Sequence, residues 1–161
     1  MLNKRTKIGA LGVGILLAAT PFAGAQGLGP ATPADVVDVV VETDSGSCAN
    51  VGTKFDTRLL ADGSEAPFVI PAGQVLVVSQ IELLGFGAAP GDGVQTRIFR
   101  GVGFNVNLAA VRESIADGSG RVFQIYQFEP GLVVASGGEV CTNNNLNITT
   151  TGFLRGYLAP E

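Results

Sequence analysis

From Asp35 onward the chain is a succession of short runs rich in valine, isoleucine and phenylalanine, each cut off by glycine or proline. Such punctuation builds strands rather than amphipathic helices. The runs are Val36–Glu42, Lys54–Leu60, Phe68–Ile70, Gln74–Leu84, Val94–Arg100, Phe104–Val111, Arg121–Phe128, Leu132–Ala135, Leu146–Thr151 and Phe153–Leu158. Val94, Thr96 and Ile98 alternate with Gln95, Arg97 and Phe99, the period-two pattern of a half-buried strand. Gln74–Leu84 is apolar enough to be buried on both faces or nearly so. Asp62-Gly63, Pro90-Gly91-Asp92-Gly93, Asp117-Gly118-Ser119-Gly120, Pro130-Gly131 and Gly137-Gly138 supply turn residues that tolerate positive φ. Leu108–Ile115 carries helix formers, Ala109, Ala110, Arg112 and Glu113, and is expected to form at most one turn or a short helix after a strand.

This pattern predicts an all-β domain, a two-sheet antiparallel sandwich of about eight or nine short strands, jelly-roll-like in its connections. The segments Ser45–Thr53, Ala61–Pro67 and Gly85–Gly93 are too long for tight hairpins and suit crossings between sheets. An up-and-down barrel would carry more uniform turns.

Residues 1–25 read as a secretory leader preceding that domain. Met1–Lys7 is basic, Ile8–Ala19 is an apolar signal helix too short to anchor in a bilayer, and Ala23-Gly24-Ala25 offers small residues for cleavage between Ala25 and Gln26. Gln26–Ala34 is a flexible lead-in with two glycines and two prolines, and residues 35–161 form the single domain. The leader reads as bacterial, which makes the glycosylation-type triplet Asn147-Ile148-Thr149 accidental. No later segment could anchor the mature form in a membrane as a helix. The expected location is periplasmic or extracellular. In that compartment Cys48 and Cys141 are expected to pair as a disulfide.

Charge and composition exclude several classes of function. The chain is acidic, with a formal net charge of −4, and loss of Lys4, Arg5 and Lys7 with the leader takes it to −7. Such a surface has no footprint for nucleic acid. With no histidine, Ser-His-Asp and Cys-His catalysis and histidine-bound metal are ruled out.

Acid–base work would fall to carboxylates. Asp38 and Glu42 share a strand face but lie about 13–14 Å apart at strand rise, too far for a glycosidase pair. Asp56, Glu82 and Glu129 remain as members of a pair drawn from different strands. Glu82 interrupts the most apolar strand, beside Gln80, where an outward carboxylate would keep that strand soluble. Asp44, Asp62, Asp92 and Asp117 sit in turns and are weak calcium candidates, without the spacing of a helical calcium loop. Trp is absent, and Tyr126 and Tyr157 lie among apolar strand residues, so a sugar-stacking platform is not legible. Asn143-Asn144-Asn145 reads as a polar loop tip.

Two partial resemblances accompany these residues. Ile70-Pro71-Ala72-Gly73 and Glu129-Pro130-Gly131, each beside a valine-rich strand, resemble strand–turn units of cupin-type jelly rolls, whose metal site needs histidines that this chain lacks. The eight residues Thr151–Leu158 resemble the last strand of complement-type trimeric jelly rolls. Neither assigns the chain to a family.

The expectation is an exported, non-catalytic sandwich with no cofactor, acting by binding or self-assembly. Its partner would be another copy or a surface or glycan partner. Residues such as Val40, Leu84 and Phe99 fall on the second face of a sheet and would form the apolar contact surface. The alternatives are a carboxylate-based carbohydrate-active enzyme and a calcium-dependent adhesion or ligand-binding module.

Overall fold

The computed structural model describes residues 36–41, 48, 52–103 and 105–161. The leader with its Ala25–Gln26 cleavage point, the lead-in, Glu42, Asp44 and Phe104 lie outside them. Every element among the described residues is a strand: β1 (Val36–Val41), β2 (Thr53–Leu59), β3 (Glu65–Pro67), β4 (Gln74–Phe86), β5 (Gly93–Val102), β6 (Asn105–Ile115), β7 (Arg121–Val134), β8 (Glu139–Asn144) and β9 (Thr149–Pro160).

All pairings are antiparallel. One sheet runs β2-β1-β9-β4-β7, and the other is the three-stranded β6-β5-β8. Strand β2 joins them, because Thr53 and Lys54 pair with Thr142 and Cys141 of β8 while Phe55–Leu59 pair with β1. The core lies between the sheets. Ile81 and Leu83 of β4, Tyr126 of β7 and Leu154 of β9 pack with Ile98 of β5 and Val140 of β8, each 5% exposed or less. Crossings run from sheet to sheet at β4–β5, β6–β7, β7–β8 and β8–β9.

The expected helical turn after Leu108 does not form. Residues 105–115 are extended and pair residue by residue with β5, with a single irregularity at Ile98/Phe99. Ladder pairing and outward Val111 and Ile115 outweigh the local preference of Ala109, Ala110 and Glu113. The expected crossing at Ala61–Pro67 is instead a hairpin. Asp62 Oδ1 accepts from the Ser64 amide (3.0 Å) and hydroxyl (2.6 Å), Leu60 N–H donates to Ser64 O, and β3 returns along β2. Phe68–Ile70 then lies outside any strand.

Two expected breaks are interior to strands. Arg121–Phe128 and Leu132–Ala135 join as β7, because β4 acts as a continuous template: Val78 pairs with Leu132 and Gln80 with Gln127, so residues 128–131 bulge opposite Ser79 alone. The bulge needs Gly131, whose φ is 138° and where a Cβ would stand 2.5 Å from Val77 Cγ1. Gly152 lies inside β9, where that strand runs closely alongside β4, and a Cβ there would meet Glu82 O at 2.4 Å. Strand β8 has no counterpart among the expected runs. It includes Asn143 and Asn144, placed by the sequence in a loop tip.

The Cys48–Cys141 disulfide forms, with a Cα–Cα distance of 6.2 Å. No helix among the described residues is long and apolar enough to cross a membrane.

Candidate functional site

The register of β4 places its neighbours in rows. Glu82 pairs with Ile125 and Phe153, Leu84 with Phe123 and Thr151, Gln80 with Gln127 and Arg155, and Phe86 with Arg121 and Thr149. Cross-strand partners share a face, and this face points away from the core, since Ile81, Leu83, Tyr126 and Leu154 occupy the other. The result is an outward apolar patch. Phe123 is 59% exposed and Phe153 46%, with half-buried Leu84, Phe86 and Ile125 between and beside them. The Arg121 guanidinium lies 5.9 Å from the Phe86 ring centroid. In the middle stands Glu82, whose Oε1 accepts from Gln80 Nε2 at 2.5 Å and faces Arg155 Nε at 3.9 Å. At this separation and exposure the ion pair is weak.

On the inward face of β7, polarity is inverted. Gln124 is 1% exposed inside the sandwich, where its Nε2 donates to Val94 O at 3.3 Å. Tyr126 Oη donates to Thr96 O at 2.9 Å and lies 3.4 Å from Gln124 Oε1. Burial pushes the Tyr126 phenol up to about 12, against the nearby Arg112 charge, which favours the phenolate. These bonds tie β7 of one sheet to β5 of the other and give the phenol hydroxyl and the amide nitrogen their partners.

The edge of β7 is also engaged. Arg112 of β6 and Arg100 of β5 each donate from Nη1 to a β7 carbonyl, Ile125 O and Val133 O. Guanidinium groups placed on an edge strand's carbonyls obstruct the addition of a further strand. A second exposed apolar set, Leu108, Val111 and Ile115, lies along β6 at the border of the three-stranded sheet.

The residues singled out in the sequence are placed as follows. Leu84 lies in the outward patch, whereas Phe99 is half-buried on the outer face of the three-stranded sheet, opposite Leu108. Val40 pairs in register with Phe153 of β9. Asp38 pairs with Leu59 and Arg155. Asp56 stands on β2, Glu82 on the outer face of β4, and exposed Glu129 in the β7 bulge.

Each described turn aspartate serves its own loop. Asp62 is held below the usual carboxylate value by the Ser64 hydroxyl and amide. Asp117 is likewise held down, first by the Arg121 amide and then by the Ser119 hydroxyl and amide. Asp92 Oδ2 accepts from the Ala89 amide at 3.0 Å. Among the described residues no three carboxylates come within reach of one ion. The one such group of ligand-type side chains among the described residues is Cys48, Glu139 and Cys141, two of which are the disulfide.

Asn144 organises the β8–β9 turn: its Oδ1 accepts from the Leu146 and Ile148 amides, and its Nδ2 donates to Ile148 O. Asn145 Oδ1 accepts from the Gln95 amide at 2.8 Å. Tyr157 packs on Val75, Val77 and Ala159.

The patch members Phe123 and Phe153 were not singled out in the sequence. Gln124 and Tyr126 sit on one face of β7 and Phe123 and Ile125 on the other, so side-chain polarity alone does not say which pair faces inward. No family model and no curated protein matches this chain.

Proposed function

We propose that this protein is an exported, non-catalytic jelly-roll sandwich that associates with copies of itself through the outer face of its five-stranded sheet. The observation that carries the reading is the inversion in β7, which turns Phe123 outward at 59% exposure and buries Gln124 at 1%. A strand that spends its buried position on an amide and presents phenylalanine to water gains from a covered outer face.

The choice of a second copy follows from charge. The protein is net acidic, so copies repel one another except where local charge cancels. The patch contains one such place, the Glu82–Arg155 pair. A two-fold axis through the patch sets Glu82 of each copy against Arg155 of the other and stacks the phenylalanines around them. Arg112 and Arg100 obstruct the alternative of joining sheets edge to edge at β7.

The jelly-roll reading is supported by the strand path β2-β1-β9-β4-β7, continued through the first two residues of β2 into β8-β5-β6, an order compatible with two interleaved Greek keys. Export is supported by the three-part leader and by the disulfide. The test is light scattering on the exported protein beside its Phe123→Ser/Phe153→Ser variant. A defined oligomer that the double substitution converts to monomer supports association through this face. A monomeric wild type at high micromolar concentration, or an oligomer untouched by the substitutions, overturns it.

A further inference from the structure

At the end of the sandwich where β2 passes from one sheet to the other, the sheets part around a cavity of about 140 Å³. Its walls are Phe55, Ile70, Leu76, Val140 and Leu154, each 4% exposed or less. By volume alone, a space of about 150 Å³ is enough for a single benzene ring. The cavity opens past Gly137 and Gly138 and past Val69, which is 71% exposed. At the rim, Lys54 Nζ donates to Glu139 Oε1 at 2.5 Å, with both side chains about three-quarters buried (26% and 23% exposed).

We propose that this cavity binds a small phenolic molecule, with its ring against Phe55, Leu76 and Leu154 and its hydroxyl donating to Glu139. Volume sets the limit of one ring. The Phe55 wall favours an aromatic occupant through edge-to-face packing. The rim favours a neutral ligand, since Lys54 already neutralises Glu139 and a charged guest would lose its water without a net counter-charge. A carboxylate has four acceptor positions, so Glu139 can take a phenol proton while keeping its bond to Lys54. The site lies at the end of the sandwich and is independent of whether the outer face assembles.

The experiment titrates p-cresol, and separately toluene, into the full chain while recording methyl resonances. The expected result is saturable shifts at Ile70, Leu76, Val140 and Leu154, with p-cresol binding at least tenfold more tightly than toluene. Val69→Trp, at an exposed position, closes the mouth and abolishes the shifts. Glu139→Ala brings the two ligands within threefold of each other. Absence of saturable shifts with both compounds overturns the site, as does their persistence in Val69→Trp. Equal affinity for p-cresol and toluene in the wild type, or an undiminished preference in Glu139→Ala, overturns the role of Glu139.

Discussion

Phe123 and Gln124 are consecutive residues of β7 on opposite faces of the sheet, and the phenylalanine is the one turned to solvent. The buried amide reaches across the sandwich to Val94 O, beside a tyrosine that reaches Thr96 O. The sheet-to-sheet bond and the exposed ring therefore share one cause, the phase of the strand. A shift of one residue would reverse both.

The first consequence concerns association. Phe123→Ser and Phe153→Ser should each weaken self-association about 30-fold, the effect of losing an interface contact of about 2 kcal/mol. The folded monomer should be as stable as before, because neither ring belongs to the core. Sedimentation equilibrium across a concentration series measures the first quantity and thermal melting of dilute samples the second. A fall in melting temperature without a change in mass would assign the rings to folding instead.

Alkaline pH should act on Tyr126. Its phenol is raised from 10.0 to about 12 in the folded protein, so between these values the unfolded chain has released a proton that the native state retains. Stability is therefore complete below pH 10 and falls as pH rises toward 12. Urea midpoints at pH 9 and pH 11 should differ in that direction, and Tyr126→Phe should lessen the difference. The same substitution at neutral pH removes the bond to Thr96 O and should cost about 1 kcal/mol.

Asp117 should respond to acid. Its carboxylate is held below 3.8 by the Arg121 and Ser119 groups it accepts from. The contribution of those bonds is present above the unfolded value and is lost as pH falls through the lower folded one. Asp117→Ala should lower the melting temperature at pH 7 and have a smaller effect at pH 2. Asp117→Asn, which keeps an acceptor oxygen, should lie between alanine and wild type at pH 7. A pH-independent penalty would locate the effect in backbone conformation rather than in the carboxylate.

Reduction should be costly. The disulfide links positions 93 residues apart, and the chain-entropy relation assigns about 4–5 kcal/mol to a loop of that length. Cys48→Ser, Cys141→Ser and reduced wild type should show the same lowered urea midpoint. A reduced protein with the wild-type midpoint would mean that the loop is already restrained in the unfolded chain.

The strands whose two faces differ were legible in the sequence. Val94, Thr96 and Ile98 are buried and alternate with partly exposed Gln95, Arg97 and Phe99, as their pattern implies. Glycine was the ambiguous letter, because the same residue serves turns and close approaches. Gly152 and Pro130-Gly131 look like turns, yet they mark where β9 runs closely alongside β4 and where β7 bulges. Strand β8 was hidden for a different reason. Thr142 is buried in the interior and its neighbour Cys141 is buried as half of the disulfide, so neither polarity nor alternation announces a strand. The outward patch depends on the phase of β7 against β4, a tertiary choice that no local pattern encodes. The cavity depends on where β2 changes sheets, which is equally non-local.

The position of β9 bears on the order in which the molecule can be completed. Last of the nine strands among the described residues, it lies in the middle of its sheet between β1 and β4, and it supplies Leu154 to the core. A chain emerging from its amino end must therefore hold β1 and β4 apart, without their shared neighbour, until nearly everything else has appeared. The cysteine partner on β8 also arrives late. Completion of this sheet thus waits for β9 and depends on closure between distant segments rather than on stepwise growth. A nascent chain halted before Thr149 should remain sensitive to protease, and emergence of the twelve residues of β9 should convert it to resistance in one step.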